Sequence, residues 1–179
     1  MENLSVFRFN IYRTLHDIHG MERELEKIYG IANRFDYLYR LSLCNIEKND
    51  LTVARQNYKD LLYYVEKHPD NNSQRSTLVS FAFLEGKLAF KSRNYSKAGN
   101  EYNQAAIILF DTTTSVSTRY FQYLSRGKAG QIQSAIDGLM NLVAINPNYA
   151  PALVALSEFN LSIGRETEAT IYLQHFLNS

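Results

Sequence analysis

The 179 residues contain no tryptophan, one cysteine, three prolines and eight glycines, and no apolar run approaches the length of a membrane span. The lone Cys44 excludes an intrachain disulfide and cysteine-rich zinc sites, and it suits a reducing compartment. It lies among Leu41, Leu43 and Ile46, a setting for buried packing and not for a reactive thiol. So little proline and glycine excludes collagenous and low-complexity chains. With 45% hydrophobic and 21% charged residues the composition is that of a globular protein. A spanning helix needs about 20 apolar residues, which no segment offers. The opening MENLSVFRFNIYR lacks a basic n-region and meets Arg8 before any useful apolar stretch, so it does not read as a signal peptide. The expectation is a soluble, cytoplasmic protein without a membrane partner.

Catalytic signatures are also missing: there is no Gly-rich phosphate loop, no HExxH, no GxSxG and no Cys-x-x-Cys. Of the four histidines, His16 and His19 stand three apart with Asp17 between them, near enough to share a metal but without a third ligand. His68 falls in a loop and His175 in the last helix. Glu22, Glu24 and Glu26 read as the solvated face of a helix. These absences predict a protein that is not an enzyme and that carries neither cofactor nor metal.

Charge is uneven along the chain. The net formal charge is +1, but residues 1–70 sum to −1, residues 71–128 to +5 and residues 129–179 to −3. A basic middle attracts acidic partners or nucleic acid, although on a helical protein such a patch is commonly just a solvated face.

The positive signal is an internal repeat. A turn is followed by Ala and, four residues later, by a large residue: Asn49-Asp50 leads to Ala54 and Tyr58, Arg93-Asn94-Tyr95 to Ala98 and Tyr102, Gly130 to Ala135 and Leu139, and Gly164 to Ala169 and Leu173. The alanines lie 44, 37 and 34 residues apart. This pattern resembles the tetratricopeptide repeat, in which an aromatic-x-x-Leu-small pattern on a first helix precedes Ala and an aromatic on a second. Leu38-x-x-Leu41-Ser42 and Leu153-x-x-Leu156-Ser157 fit the first-helix pattern, and Pro147 closes a repeat. The resemblance has a steric reason: alanine belongs where two helices cross closely, and the larger residue fills the neighbouring gap. HPDNNSQ (residues 68–74) reads as a loop insertion.

The expected fold is therefore all-α, a right-handed α-solenoid of antiparallel helix pairs forming one domain over 1–179. Repeats are expected at 35–75, 76–115, 116–149 and 150–179. The fourth fits only if Phe121-x-x-Leu124-Ser125 is shifted by two, which implies a shortened turn near Gly130. In residues 1–34 a stripe of Leu4, Phe7, Ile11, Leu15 and Ile18 precedes a His19-Gly20 turn and a second helix. A cryptic repeat and a capping pair fit it equally well.

In the family resembled, ligands contact the exposed edge of each first helix. That correspondence implies Asp36, Tyr39, Arg40, Leu43 and Ile46 in the second repeat, and Ser80, Phe83, Leu84, Lys87 and Phe90 in the third. In the fifth it implies Pro151, Val154, Ala155, Glu158 and Leu161. Tyr120 or Tyr123 serves the fourth, depending on its register. The family's carboxylate clamp is missing, because Tyr39 and Phe83 stand where lysine is wanted. An aromatic groove for apolar side chains, with Lys87 and Lys91 attracting acidic ones, is the implied alternative. Aromatic residues at helical spacing also serve as core, and both roles stay open for Tyr39 and Phe83.

The functional expectation is an adaptor or scaffold that holds a protein or peptide ligand in its concave groove. Alternatives are a secretion-type chaperone for an export substrate, or nucleic-acid binding through the basic middle. The last helix, with Ile171, Tyr172, Leu173, Phe176 and Leu177, carries more apolar surface than one neighbour covers. This predicts self-association or partner docking through Ile171, Leu173, Phe176 and Leu177, with a two-fold dimer as the simplest closed form.

Overall fold

The computed structural model describes residues 2–69, 75–109 and 112–179, and among these it contains ten α-helices and no strand. They are α1 Glu2–Thr14, α2 Ile18–Ile28, α3 Arg34–Glu47, α4 Leu51–Lys67, α5 Arg75–Lys91, α6 Tyr95–Ile108, α7 Thr112–Lys128, α8 Ile132–Ile145, α9 Ala150–Ser162 and α10 Glu166–Leu177. The all-α repeat architecture expected from the sequence is present. Most of the HPDNNSQ insertion (70–74) lies outside the described residues. No described helix is long and apolar enough to cross a membrane. The chain divides into two compact units, residues 1–92 and 93–179, with the division falling at the turn between α5 and α6.

The turns share one backbone geometry. Each first helix ends in a residue with left-handed backbone: His16, Asn49, Arg93, Gly130 and Gly164, with φ of 54°, 62°, 59°, 91° and 78°. The next residue opens the second helix. The amides of Asp17, Asp50, Gln131 and Arg165 reach back to the carbonyls of Tyr12, Asn45, Arg126 and Asn160 at 2.9–3.0 Å. This is the six-to-one bond that closes a helix C-terminus. Asp17, Asp50 and Asn94 also cap the second helices by accepting from the amides of Gly20, Val53 and Lys97.

Counting from that left-handed residue, the fifth position is Met21, Ala54, Ala98, Ala135 or Ala169, and all five are buried. Residues 1–34 thus carry the repeat's own turn, with Met21 where the others have alanine.

The shortened turn expected in the fourth repeat is corrected by the same geometry. The turn at Gly130 has the bonds of the others, and Tyr123 occupies the small-residue position held by Ser42 and Ser157 elsewhere. It fits because Gly138 on α8 has no side chain; a Cβ there would lie 2.3 Å from the Tyr123 ring. The bulk has moved from one helix to its partner with no slip in register.

In unit 1 the core gathers Phe9, Met21, Leu25, Ile28, Leu38, Leu43, Cys44, Ile46, Leu61, Leu84 and Leu88. In unit 2 it includes Ala135, Ile136, Leu139, Leu142, Ala152, Ala155, Leu156 and Phe159. The interface of α6 with α7 is different in kind. Ser115, Thr118, Gln122 and Ser125 form a buried polar stripe on α7, and the Gln122 amide donates to the Asn103 carbonyl oxygen at 2.8 Å.

Candidate functional site

The sequence-predicted groove residues of unit 1 fall on α3 and α5, two adjacent first helices. Tyr39 and Phe83 occupy the same register, ten residues before their left-handed turn residues, and both are half-buried against the unit 1 core. Phe35 stacks parallel to Tyr39 with centroids 6.4 Å apart. Burial raises the Tyr39 phenol above its ordinary value, so it stays a neutral hydrogen-bonding group. The rings therefore serve partly as packing and partly as surface, which joins the two roles the sequence left open.

Other predicted residues are placed differently. Leu43 is only 2% exposed and belongs to the core. Ile46, Leu84 and Ala155 are likewise buried, so none of the four presents a side chain to a ligand. The correspondence with the family misplaced them because these positions face the neighbouring helix pair. Phe90 is half-buried and Lys91 exposed.

Lys87 is engaged within the fold. Its ammonium pairs with Glu47 of α3, and the two side chains are 13% and 6% exposed. Burial pulls the Lys87 ammonium below its usual range, although Glu47 opposes the shift. Burial pushes the Glu47 carboxyl upward, but the Lys87 charge and hydrogen bond outweigh it and hold the group below the ordinary value of 4.5. Lys87 was expected to attract acidic ligands; its charge is instead offset internally. Around this pair stand His16, 3.8 Å from Glu47, and Arg13, whose charge bears on both Tyr39 and Lys87. Neither Glu47 nor Arg13 was singled out from the sequence, because their partners lie 40 and 26 residues away.

In unit 2, Tyr120 packs edge-on against Tyr149 at 5.8 Å and tilts against Phe121 at 5.2 Å. Burial, then Tyr149 and Glu158, push its phenol up to about 12. Tyr123 fills the space over Gly138, with the Arg126 guanidinium 5.9 Å from its ring. Both tyrosines are half-buried packing residues. On α10, Ile171, Leu173 and Leu177 are exposed and Phe176 is half-buried.

Cys44 is buried and its thiol is pushed up to about 11, mainly by burial, so it is a poor nucleophile. His19 lies beside Glu22, which also accepts from Lys48 at 2.7 Å. Among the described residues, no three His, Cys, Asp or Glu side chains gather as a metal site would require.

No family model matches the chain, and no curated protein matches it in sequence. Among solved structures, MamA from Desulfovibrio magneticus RS-1 aligns over 99% of this chain and 93% of its own, with TM-score 0.64 at 12% identity. A second MamA crystal structure aligns over 95% and 92% with TM-score 0.61 at 18% identity. A third covers 99% and 90% with TM-score 0.59 at 17%. At these identities the likeness is one of fold, and the fold is a helical repeat of tetratricopeptide type.

Proposed function

We propose that this chain is a tetratricopeptide-type adaptor that holds an extended protein segment on the first-helix face of unit 1 and carries out no chemistry of its own. The observation that carries the reading is the pairing of Tyr39 and Phe83 at one register on adjacent helices, both partly buried against the core, with the exposed Lys91 on the same helix as Phe83. Half-exposed aromatic rings accept apolar side chains at low entropic cost. Arg13 supplies positive charge by Tyr39, and Lys91 adds charge near the Lys87–Glu47 pair, whereas the charge of Lys87 is offset by Glu47. The preferred segment therefore combines apolar and acidic side chains. An export substrate held by a secretion-type chaperone is one such segment. Nucleic acid fits less well, since part of the basic middle is neutralised at the Lys87–Glu47 pair.

The test is affinity capture from native lysate with wild type, Lys91→Glu and Phe83→Ser, with melting followed for each. The reading expects capture to fall at least several-fold in both variants. Because Lys91 is exposed, its variant should stay folded, with melting lowered only by the positive charge withdrawn from Glu47. Capture undiminished by Lys91→Glu, or capture lost steeply as salt rises in the manner of nucleic acid, would overturn it.

A further inference from the structure

The repeat register exposes two faces that are covered everywhere else in each unit. In the first helices, the residues 12, 9 and 5 places before the left-handed turn residue face the preceding pair. On α5 these are Phe81, Leu84 and Leu88: Phe81 meets Phe35 and Tyr58 edge-on, and the two leucines are buried in the unit 1 core. On α9 they are Ala152, Ala155 and Phe159, all buried in the unit 2 core. On α1 the same places hold Leu4, Phe7 and Ile11, which are 52%, 61% and 41% exposed, and Leu15 continues the stripe at 67%.

The receiving side shows the converse. A following first helix sits in the trough between the two helices of a pair. In unit 1 that trough, under α5, includes Ile46 and Ala54, both fully buried, and Tyr58. In unit 2 its counterpart under α9 includes Gly127, Ala135 and Leu139, and Phe159 closes directly over Gly127. The equivalent places in the last pair are Leu161, Ala169 and Leu173. Here Leu161 is 59% and Leu173 45% exposed, and they border an open cleft of about 250 Å³ lined also by Ser157, Glu166 and Thr170.

We propose that a second copy of this chain fills this cleft, its α1 lying between α9 and α10 as a sixth first helix would, so that copies join head to tail. The occupant is argued from two matches. The Leu4–Phe7–Ile11 face of α1 has the register of the faces that fill such troughs inside each unit. The charges are also complementary, since exposed Arg8 flanks the α1 stripe and exposed Glu166 lines the cleft. This contact is heterologous, so it propagates or closes into a ring, unlike the two-fold dimer expected from the α10 residues alone.

Sedimentation and light scattering on the full chain test this with wild type, Phe7→Glu and Leu161→Glu, each checked by circular dichroism. Wild type should exceed the 20.6 kDa monomer with a mass that grows with concentration. Each variant alone should be monomeric, because it keeps only one competent end. Their equimolar mixture should rise to twice the monomer mass and stop there, since one intact head and one intact tail remain. If either variant loses helicity, Leu4→Lys and Leu173→Lys replace it. A wild type that stays monomeric overturns the proposal. So does a Phe7→Glu variant that still dimerises alone, which would show the symmetric contact, or a mixture that stays at monomer mass.

Discussion

Ala54 and Ala135 are fully buried, each within the core of its own unit. Enlarging one of them forces backbone or rotamer shifts that typically cost about 1–3 kcal/mol. Ala54→Leu should lower unfolding free energy by that amount in denaturant titrations, whereas Ala169→Leu in the monomeric Phe7→Glu background should cost clearly less, because there its neighbours Leu161 and Leu173 are open to solvent. Equal losses would mean that the last pair is as tightly covered as the second. The Tyr123–Gly138 contact makes a paired prediction. Gly138→Ala places a methyl against the Tyr123 ring and should destabilise by about 1–3 kcal/mol, and Tyr123→Ser in that background should recover part of the loss. Losses that simply add would show that the two do not share the space. The alanine markers were legible in the sequence because each acts within one short motif. Tyr123 was not, because what makes room for it lies 15 residues away on another helix, and a two-residue slip was the wrong repair.

At the level of elements, the turns carry the repeat more faithfully than the side chains do. The turns at Asn49, Arg93, Gly130 and Gly164 were readable in the sequence. The first pair was ambiguous because His16 takes the left-handed position and Met21 the crossing position, both atypical residues for those places. The α3–α5 junction was read as ligand surface at Leu43 and Lys87, since a first-helix pattern alone cannot show that Glu47 reaches Lys87. That ion pair has a pH signature. Glu47 is held below 4.5 in the fold, so its contribution is full above that value and is lost as pH falls through the folded value. Glu47→Gln should therefore lose stability at neutral pH, on the order of 3 kcal/mol for breaking a buried pair, and should show a flatter decline as pH falls below 4.5. An acid limb as steep as wild type would mean that other carboxylates carry it.

For the molecule as a whole, the all-helical repeat could be read from spacing, because helix pairs with a fixed turn repeat their pattern regardless of what they bind. The ligand surface could not, because whether a side chain at a given register is core or surface depends on which pair follows it. Leu161 and Ile46 share one register; the first is exposed at the last pair and the second is buried under α5. The central claim is that a partner lies along the first-helix face of unit 1. Its most direct test replaces Lys91 on α5, or Lys59 on α4, with a photo-crosslinking residue in the full chain and irradiates native lysate. Both positions are exposed, but only Lys91 shares a helix with Phe83. The account predicts a discrete covalent adduct from position 91 and none from position 59; equal adducts from both, or an adduct from position 59 alone, would contradict it.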